Sequence, residues 1–459
     1  MTKVASQKSQ WQWKTMGDIT EIVGGGTPKT TQSEYFGGDV PWITPADLSG
    51  YTDKEISRGT RNITQEGLAN SGARLMPKGT VLFSSRAPIG YVAIAANSVS
   101  TSQGFKSFIP QKGISSDFLY YYLQHAKKFA VELASGTTFL EISGKKAAQI
   151  PVPVVPFNEQ KQIVAEIEKQ FTRLDAGVKA LKRVQANLKR YRASVLKAAC
   201  EGRLVPTEHE LARKEGRTYE TGEQLLTRIL TERRQNWQGR GKYKEPITQT
   251  ASLTPLPKGW TWSSIAQISF LDIGYAFKSA EFAKSGEIRL LRGENIEPGK
   301  LRWLDTRYWP KSKLHEFQNL LLREGDIVLA MDRPLISSGL KIAQVTPFDL
   351  PCLLVQRMAR FQLVDELMTK YLFITLNTNA FIKHLLGGQT GTQLPHVSGD
   401  GIQSFLVPLP PLAEQKRIVA EVERRLSVID ELEAIVSANL QRATRLRQSI
   451  LRKSFLGKE

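Results

Sequence analysis

The sequence has few residues of the types that form disulfide or metal frameworks. Its 459 residues include two cysteines, Cys200 and Cys352, and five scattered histidines. Two cysteines cannot build a disulfide framework and the histidines do not cluster, so we expect a reducing, cytoplasmic setting without a zinc site. No apolar run approaches the roughly 20 residues that span a bilayer. The polar N-terminal segment also lacks the apolar core of a secretory signal.

Familiar catalytic motifs are missing as well. There is no G-x-x-x-x-G-K-[ST] phosphate loop, no G-x-G-x-x-G fingerprint after a strand, and no Asn/Asp-Pro-Pro-aromatic tetrapeptide of amino-group methyltransferases. Glu159 with Lys161, and Glu414 with Lys416, resemble part of a nuclease motif. Because residues two apart on a helix point in different directions, we interpret them as solvated helix charges. We therefore predict no catalytic residue, no metal site and no cofactor in this chain.

What the sequence has in excess is positive charge. It contains 63 lysines and arginines against 44 aspartates and glutamates, a net charge of +19. Such an excess indicates a polyanionic partner, most simply nucleic acid. A basic enzyme that merely stays soluble is the alternative, and an anionic membrane surface comes third. The proportions of apolar and charged residues, 41% and 23%, are typical of a globular protein.

The chain contains an internal repeat. Residues 152–204 align with residues 407–459 without a gap, and Glu159–Glu168 shares eight of ten residues with Glu414–Glu423. Prolines precede each copy and a glycine follows it, which predicts one long helix per copy. Apolar residues recur every 3.5 residues along both copies, as in a coiled coil. We assign to this seam Ile167, Leu174, Leu181, Leu188, Val422, Ile429, Val436 and Leu440.

Four polar residues interrupt the seam: Gln185, Arg192, Glu433 and Arg447. They could specify the register of the two helices or admit a partner. The alternative is that each helix packs only on its own domain. A stripe this narrow and long offers little area to a globular core, which favours the coiled coil.

The segments before the helices repeat more weakly, for example Lys78–Phe83 against Glu324–Leu329. They mix short predicted strands, such as 81–83 and 91–95, with predicted helices near 117–134 and 368–386. We predict an α+β fold with two related α/β-mixed modules, joined by two long antiparallel coiled-coil helices with pseudo-twofold symmetry. A short helix, 222–237, is expected in a polar link. The predicted boundaries are a first module at 1–150, a helix at 151–204, the link at 205–255, a second module at 256–405 and a helix at 406–459.

Two arginines are the best-placed candidates for contacting DNA. Arg86 and Arg333 each follow a buried strand within a few residues, and we match them to each other as one recurring loop position, where recognition residues are often carried. A salt-bridged loop arginine is the alternative for each. Further candidates, each more readily explained as a surface charge, are Lys29, Arg58, Arg61, Arg74, Lys278, Arg289, Arg292, Asn295, Arg302 and Arg307.

Two related modules with different loops would read two different short sequences. A helix of about 44 residues spans roughly 66 Å and would hold the two modules apart. The expected target is therefore bipartite, with two half-sites separated by unread base pairs.

The whole chain resembles the specificity subunit of a type I restriction–modification enzyme. The resemblance is carried by the repeated Pro-x-x-Glu-Gln-Lys-x-Ile-Val-Ala-Glu-Ile/Val-Glu helices, and more weakly by Gly-Asp-Ile-Val at 325–328, Gly-Gly-Thr-Pro at 25–28 and the link helix ending at Trp237. It implies two target recognition domains that bind double-stranded DNA. It also implies two methyltransferase subunits and motor-nuclease subunits as partners, which would hold S-adenosylmethionine, ATP and Mg²⁺.

One departure from the family pattern stands in the second module. Asp272–Lys278 occupies the place of Gly-Gly-Thr-Pro, so a role of that loop in the first module does not carry over. Two other functions stay open: a stand-alone basic DNA-binding or architectural protein, and an enzyme with a divergent site.

Overall fold

The chain folds into two compact units. The computed structural model describes residues 11–136, 140–235, 242–247, 254–363, 365–387 and 396–456. One unit contains Met1–Arg183 and Val436–Glu459, and the other contains Val184–Ile435. Each combines an α+β module with parts of two long helices, which confirms the predicted mixed fold with a repeated module. Among the described residues, no helix is both long and apolar enough to cross a membrane.

The strands of the first module are β1 (Gln12–Thr15), β2 (Thr20–Gly24), β3 (Phe36–Val40), β4 (Trp42–Ile43), β5 (Glu55–Ile56), β6 (Val81–Phe83), β7 (Val92–Ala95), β8 (Ser100–Thr101), β9 (Lys106–Pro110) and β10 (Pro151–Val154). Two small sheets pair β1 with β10 and β4 with β8. The module is built on a five-stranded sheet with the order β2-β9-β6-β7-β5. Four of these strands pair antiparallel, and β5 lies parallel to β7.

One amphipathic helix packs on this sheet. The helices of the module are α1 (Met16–Ile19), α2 (Gln65–Ala69), α3 (Ser116–Leu133) and α4 (Gly144–Ala148). The Ser115 hydroxyl accepts from the Phe118 N–H and so caps the start of α3. The buried face of α3 carries Phe118, Leu119, Tyr122 and Leu123, which join the core of the unit. The predicted strands at 81–83 and 91–95 and the predicted helix near 117–134 match these elements.

A long helix, α5 (Phe157–Cys200), follows the first module. Pro156 begins it, because its carbonyl accepts from the N–H groups of Glu159 and Gln160. Gly202, with φ +65°, ends it, since the left-handed region favours glycine. The link contains α6 (Glu208–Glu215) and α7 (Gly222–Gln235); Trp237, the predicted end of the link helix, lies outside the described residues.

The second module repeats the core of the first. Its strands are β11 (Thr261–Ser264), β12 (Phe270–Ile273), β13 (Ile288–Leu291), β14 (Ile296–Glu297), β15 (Lys300–Leu301), β16 (Tyr308–Trp309), β17 (Ile327–Ala330), β18 (Leu335–Ile336), β19 (Gly339–Leu340), β20 (Ile342–Gln344), β21 (Cys352–Leu354), β22 (Met358–Gln362) and β23 (Leu406–Leu409). The four-stranded antiparallel sheet has the order β12-β22-β17-β20, and a second sheet has the order β16-β13-β21.

The helices of the second module depart from the prediction at one point. They are α8 (Ile265–Ile268), α9 (Glu366–Leu376), α10 (Asn379–Leu386) and α11 (Gly399–Gln403), and the second long helix, α12 (Leu412–Leu456), follows. The helical segment predicted near 368–386 is divided between α9 and α10. Thr378 separates them, because its hydroxyl accepts from the Phe381 N–H and caps a new helix.

The repeated Glu-Gln pair at the start of each long helix joins the helix to its module. The Trp11 indole donates to Glu159 at 3.1 Å, and the Trp260 indole donates to Glu414 at 3.0 Å. Glu414 is fully buried and also accepts from the Glu208 N–H. Burial raises the pKa of Glu414, against the lowering effect of these two hydrogen bonds. The interpretation as a solvated charge was therefore wrong for Glu414, whereas Glu159 is half-buried.

The adjacent glutamines have a related role. Gln160 is buried, and its amide group donates to the carbonyls of Gly113 and Val155 and accepts from the Ser115 N–H. Gln415 is buried and donates to the Pro410 carbonyl. Since buried polar groups need partners, Gln160 fixes the start of α5 against the segment from Gly113 to Ser115, whereas Gln415 bonds to the segment just before its own helix.

The two long helices pack antiparallel within each unit. In the first unit Arg447 of α12 pairs with Asp175 of α5 at 2.7 Å. In the second unit Arg192 of α5 pairs with Asp430 and with Glu433 of α12. Asp175 and Asp430 occupy equivalent positions of the sequence repeat, as do Arg192 and Arg447. The same Arg–Asp pair therefore forms once in each unit.

The predicted seam is the buried stripe of these helices. Ile167, Leu188, Val422, Ile429 and Val436 are buried. Leu174, Leu181 and Leu440 are half-buried. Of the four polar residues that interrupt the stripe, three form the ion pairs above, and Gln185 is exposed. The charged interruptions thus add interhelical contacts where the apolar stripe is broken.

The helix ends complete the module cores. Phe455 of α12 is fully buried in the first unit, and its ring lies 5.4 Å from that of Phe118 and 5.2 Å from that of Tyr122. Near the end of α5, Val195 and Ala199 enter the core of the second unit. Each module therefore depends on a helix segment that is distant from it in the sequence.

The buried seam leads to a prediction about stability. Val436→Asp should destabilise the first unit by about 3 kcal/mol, because a charge would be buried without a partner. Leu181→Asp should cost less, since Leu181 is half-buried beside an open groove. Chemical denaturation of the purified chain measures both changes.

Val428→Asp is the matched control on the same helix, because Val428 is 48% exposed and tolerates a charge. Equal stability of the Val436 and Val428 variants would contradict the assigned seam.

Candidate nucleic-acid interface

Three loops of the first module meet at one edge of its central sheet. Gly24 at the end of β2 pairs with Lys106 at the start of β9, and Ser84, just after β6, forms a bridge with Phe105. Antiparallel pairing therefore brings the loops at 25–29, 84–91 and 102–105 together. Their side chains line a concave surface with a volume of about 470 Å³, to which Thr27, Arg86, Ser102 and Gln103 contribute.

Two glycines let backbone segments pack closely together beneath this concave surface. The Gly25 N–H donates to the Phe105 carbonyl at 3.2 Å, and the Gly26 N–H donates to the Thr101 carbonyl at 2.9 Å. A Cβ atom on Gly25 would lie 1.8 Å from the Ser102 carbonyl oxygen, and one on Gly26 would lie 2.1 Å from Ala73 N. Only glycine permits such a close approach of two backbones. The Gly-Gly-Thr-Pro segment is therefore held in place by close packing. We call Gly25 and Gly26, with the backbone at 101–105 that they contact, the platform.

One carboxylate holds two cations beside this platform. Glu141 lies 3.5 Å from the Arg86 guanidinium and 3.6 Å from the Lys106 ammonium. Arg86 and Glu141 remain more than a third exposed, so the pairing with Arg86 is open to solvent. Arg86 is thus both salt-bridged and accessible at the rim of the concave surface.

The second module contains the same platform, against the expectation from sequence. The Gly274 N–H donates to the Met358 carbonyl, and the Tyr275 N–H donates to the Leu354 carbonyl. A Cβ atom on Gly274 would lie 2.1 Å from the Val355 carbonyl oxygen. Gly274 therefore corresponds to Gly25, and Tyr275 stands in place of Gly26. The second module therefore has the same backbone arrangement although it lacks the Gly-Gly-Thr-Pro sequence.

The loops after β6 and β17 are also equivalent, but with a different register from the one expected. The Ser85 N–H donates to the Gly104 carbonyl, as the Met331 N–H does to the Arg357 carbonyl. Ala87 and Arg333 share a positive φ, 53° and 45°. Arg86 therefore corresponds to Asp332, one residue before Arg333. The prediction that Arg86 and Arg333 occupy one recurring position was wrong by one residue.

The charges at this position are reversed between the modules. Asp332 lies 2.6 Å from the His396 ring and 2.6 Å from the Arg357 guanidinium. Partial burial acts to raise the pKa of Asp332, but the hydrogen bonds from His396 and Arg357 outweigh it and leave that pKa below its ordinary value. Each module thus has one carboxylate between two cationic or basic side chains. At the equivalent loop position, the first module has the cation, Arg86, and the second module has the carboxylate, Asp332.

The other predicted DNA-binding residues are spread over both modules. Lys29, Arg58, Lys278 and Arg333 are exposed. Arg61 lies over the Phe36 ring at 3.5 Å, and Arg74 pairs with Glu21 at 3.2 Å. Of the predicted residues in the first module, Arg86 lines the concave surface. In the second module, Arg333 lies in the equivalent loop.

Three predicted residues of the second module serve its own fold. Asn295 is fully buried, and its side chain bonds to the backbone of Arg292, Arg302 and Leu304. A buried side chain with satisfied hydrogen bonds cannot contact DNA, so Asn295 was wrongly proposed. Arg292 donates to the Asp305 carbonyl, and Arg289 donates to the Phe348 carbonyl at 2.6 Å.

Sequence reasoning missed two glutamines at the platform. Gln103 and Gln356 are exposed and lie beside Ser102 and Val355, whose carbonyls face the platform glycines. They are separated by 253 residues, the same offset that aligns helix residues 118–122 with 371–375. Extending that alignment toward the N-terminus would have found them. Within the described ranges, no group of three or more His, Cys, Asp or Glu residues could hold a metal ion.

Comparison with known proteins identifies similar chains. The family model for the type I restriction modification DNA specificity domain matches residues 8–184 and 257–441. The MjaIX specificity subunit of Methanocaldococcus jannaschii is 42% identical over 172 residues, covering 37% of this chain and 40% of that protein. The EcoAI specificity subunit of Escherichia coli is 32% identical over 296 residues, covering 63% and 48%. The chain thus spans less than half the length of these two relatives.

A third relative and one solved structure extend over nearly the whole chain. The MjaVIII specificity subunit of Methanocaldococcus jannaschii is 24% identical over 449 residues, covering 98% of this chain and 92% of that protein. A solved chain from work on complex assembly and conformational transition of the type I R-M system has a TM-score of 0.63 at 17% identity, covering 97% and 98%. At this sequence identity, the similarity to the solved chain concerns the fold alone.

The platform predicts a local requirement for glycine. Gly25→Ala should destabilise the first unit by about 1–3 kcal/mol, because its Cβ atom would overlap the Ser102 carbonyl. Gly24→Ala is the matched control, since nothing lies within 4 Å of its added Cβ atom, and it should change stability by less than about 0.5 kcal/mol. Thermal unfolding of the two variants distinguishes them. Indistinguishable transitions would show that the close packing at Gly25 is not needed.

Proposed function

The chain belongs to the type I restriction modification DNA specificity domain family, and we propose that it reads a bipartite, asymmetric DNA target for a type I restriction–modification complex. Its predicted identity as a specificity subunit is confirmed by this family match and by the specificity subunits among its relatives. In the proposal, residues 1–150 and 256–405 are the two target recognition domains, and each reads one half-site.

The duplicated platform carries this proposal. Both modules place a glycine against the backbone at the same sheet edge, Gly25 and Gly274, and carry a carboxylate paired with a cation in the loops nearby. The groups around the platform differ, because Arg86 in one module corresponds to Asp332 in the other. An arginine can donate to guanine, and a carboxylate can accept from the cytosine amino group. Equivalent platforms that carry side chains of opposite charge are suited to reading two half-sites of different base sequence.

The long helices support the proposal of an unread spacer. They contain 44 and 45 residues, which at 1.5 Å per residue correspond to roughly 66 Å each. Their buried stripe and repeated Arg–Asp pairs give them a defined register. We propose that this register sets the number of base pairs between the half-sites, independently of the loops that read them.

The same helices offer a surface for partner subunits. In the first unit a groove of about 720 Å³ opens between them, lined by apolar residues that include Leu174, Val178, Leu181, Ala443 and Leu446. We propose that two methyltransferase subunits assemble on the helices and that motor-nuclease subunits join them in the cytoplasm. S-adenosylmethionine, ATP and Mg²⁺ are then bound by those partners, and this chain supplies DNA recognition.

Salt should weaken DNA binding by the assembled complex steeply. A chain with a net charge of +19 must neutralise several phosphates on binding, and each releases counterions. Affinity should fall by about two decades or more between about 50 and 200 mM salt. Titration of a labelled duplex at several salt concentrations measures the slope. A nearly flat curve would rule out phosphate contact as the main source of affinity.

Module exchange tests the reading of two half-sites. Replacing residues 1–150 with the module of another family member, with both helices kept, should change one half-site and leave the other half-site and the spacer unchanged. Base contacts act locally while the helices set the separation, so the effects should be nearly additive. The replacement must retain a ring that packs against Phe455. Methylation mapping of cells carrying the hybrid system gives the result.

The control is the purified chain alone with S-adenosylmethionine, which should methylate no DNA. Methylation by the chain alone would favour an enzyme with a divergent site. A hybrid in which both half-sites change together, or the spacer changes with intact helices, would contradict the proposal.

A further inference from the structure

Gln103 and Gln356 occupy the same position in the two modules. Val81 of β6 pairs with Phe108 of β9, and Ile327 of β17 pairs with Phe361 of β22. Counting back five residues from each phenylalanine along the chain leads to the two glutamines, each just before its strand. The platform contacts agree with this register, because Phe105 and Met358 accept from the Gly25 and Gly274 N–H groups.

The backbone of each glutamine is held close to the platform. The Gln103 N–H lies 3.5 Å from the Thr27 hydroxyl, and the Gln356 N–H donates to the Tyr275 carbonyl at 2.8 Å. Both side chains are exposed. Within the part of the chain that the structure describes, neither side-chain amide makes a hydrogen bond. Each module thus presents an amide donor from a fixed point of its backbone.

The surroundings of the two glutamines differ in almost every charged group. Gln103 shares the concave surface with Arg86, which pairs with Glu141. Gln356 precedes Arg357, which pairs with Asp332. The glutamine is constant while the reading groups around it change. A constant side chain suits a feature that both half-sites share, whatever their base sequences.

We propose that Gln103 and Gln356 each donate a hydrogen bond from the side-chain amide to a phosphate of the DNA backbone, one in each half-site. This inference rests on the proposed DNA-recognition function. Phosphate contacts position a protein on the duplex without reading sequence, and glutamine is among the side chains that make them. A cation accompanies each glutamine, Arg86 on the same concave surface as Gln103 and Arg357 next to Gln356 in the sequence, which favours the phosphate backbone over an isolated base edge.

Reading of adenine is the competing role for a glutamine, through the N6 and N7 atoms. It would require an adenine at the same place in both half-sites. The charge reversal between Arg86 and Asp332 indicates half-sites that differ next to this position, so a contact with the shared backbone is favoured.

The test uses the complete chain assembled with its methyltransferase subunits. Gln103→Ala and Gln356→Ala are compared with Gln111→Ala and Gln318→Ala, which remove exposed glutamines of the same modules away from the platform. Binding is measured on the target duplex and on a panel in which each recognised base pair is replaced in turn. Each platform variant should lose roughly tenfold in affinity on every duplex, with the order of preference unchanged. The control variants should bind as the wild type does.

Ethylation interference locates the contact. The wild-type complex should show interference at a phosphate in each half-site, and Gln103→Ala should lose it at one phosphate in one half-site. Gln103→Glu keeps the shape but repels phosphate, so it should lose more affinity than Gln103→Ala. Thermal unfolding confirms that each variant is folded.

Two results would overturn the inference. Loss of discrimination at one base pair would show that the glutamine reads a base. Unchanged affinity and an unchanged interference pattern in both platform variants would show that it contacts no DNA. Failure of the proposed function is distinguishable, because the wild-type complex would then bind its target no more tightly than unrelated DNA.

Discussion

The structure depends on the burial of helix ends in modules that are distant in the sequence. Phe455 is fully buried against Phe118 and Tyr122 in the first unit, although more than 300 residues separate it from them. Val195 and Ala199 complete the core of the second unit. Large buried aromatic and aliphatic side chains contribute several kcal/mol each, so neither module keeps its full core without these helix segments. Domain boundaries drawn along the sequence therefore do not coincide with independently packed units.

The polar groups at the helix starts and along the seam restrict how the helices pack. Glu159 and Glu414 accept from tryptophan indoles, and buried polar groups without such partners would be costly. The repeated Arg–Asp pairs are at least partly exposed, so each contributes little to stability. These pairs instead favour one register of the two long helices, because a helix shifted along its partner would lose the pair in its unit. We expect the proposed spacer to rest on this register rather than on the strength of any one contact.

The surfaces proposed to read DNA combine a backbone arrangement that both modules share with side chains that differ between the modules. Close packing at Gly25 and Gly274 leaves no room for a side chain, so the platform cannot vary without a shift of the backbone. Arg86 and Asp332 occupy the same position, are both partly exposed, and carry opposite charges. Such a division would let the bases that are read change while the fold of the module is retained.

The sequence by itself determined the features that follow from local or periodic patterns. The repeat, the two long helices, the mixed α+β modules and the family could all be predicted, because helix periodicity and proline and glycine positions act over a few residues. Long-range contacts decided the rest. Asn295 looked like a surface residue until the fold buried it, and Arg86 was matched to Arg333 until strand register paired it with Asp332. Neither Gln103 nor Gln356 carries a local signal of its own. An alignment of the two modules matches them, but only the sheet shows that their loops reach the same platform.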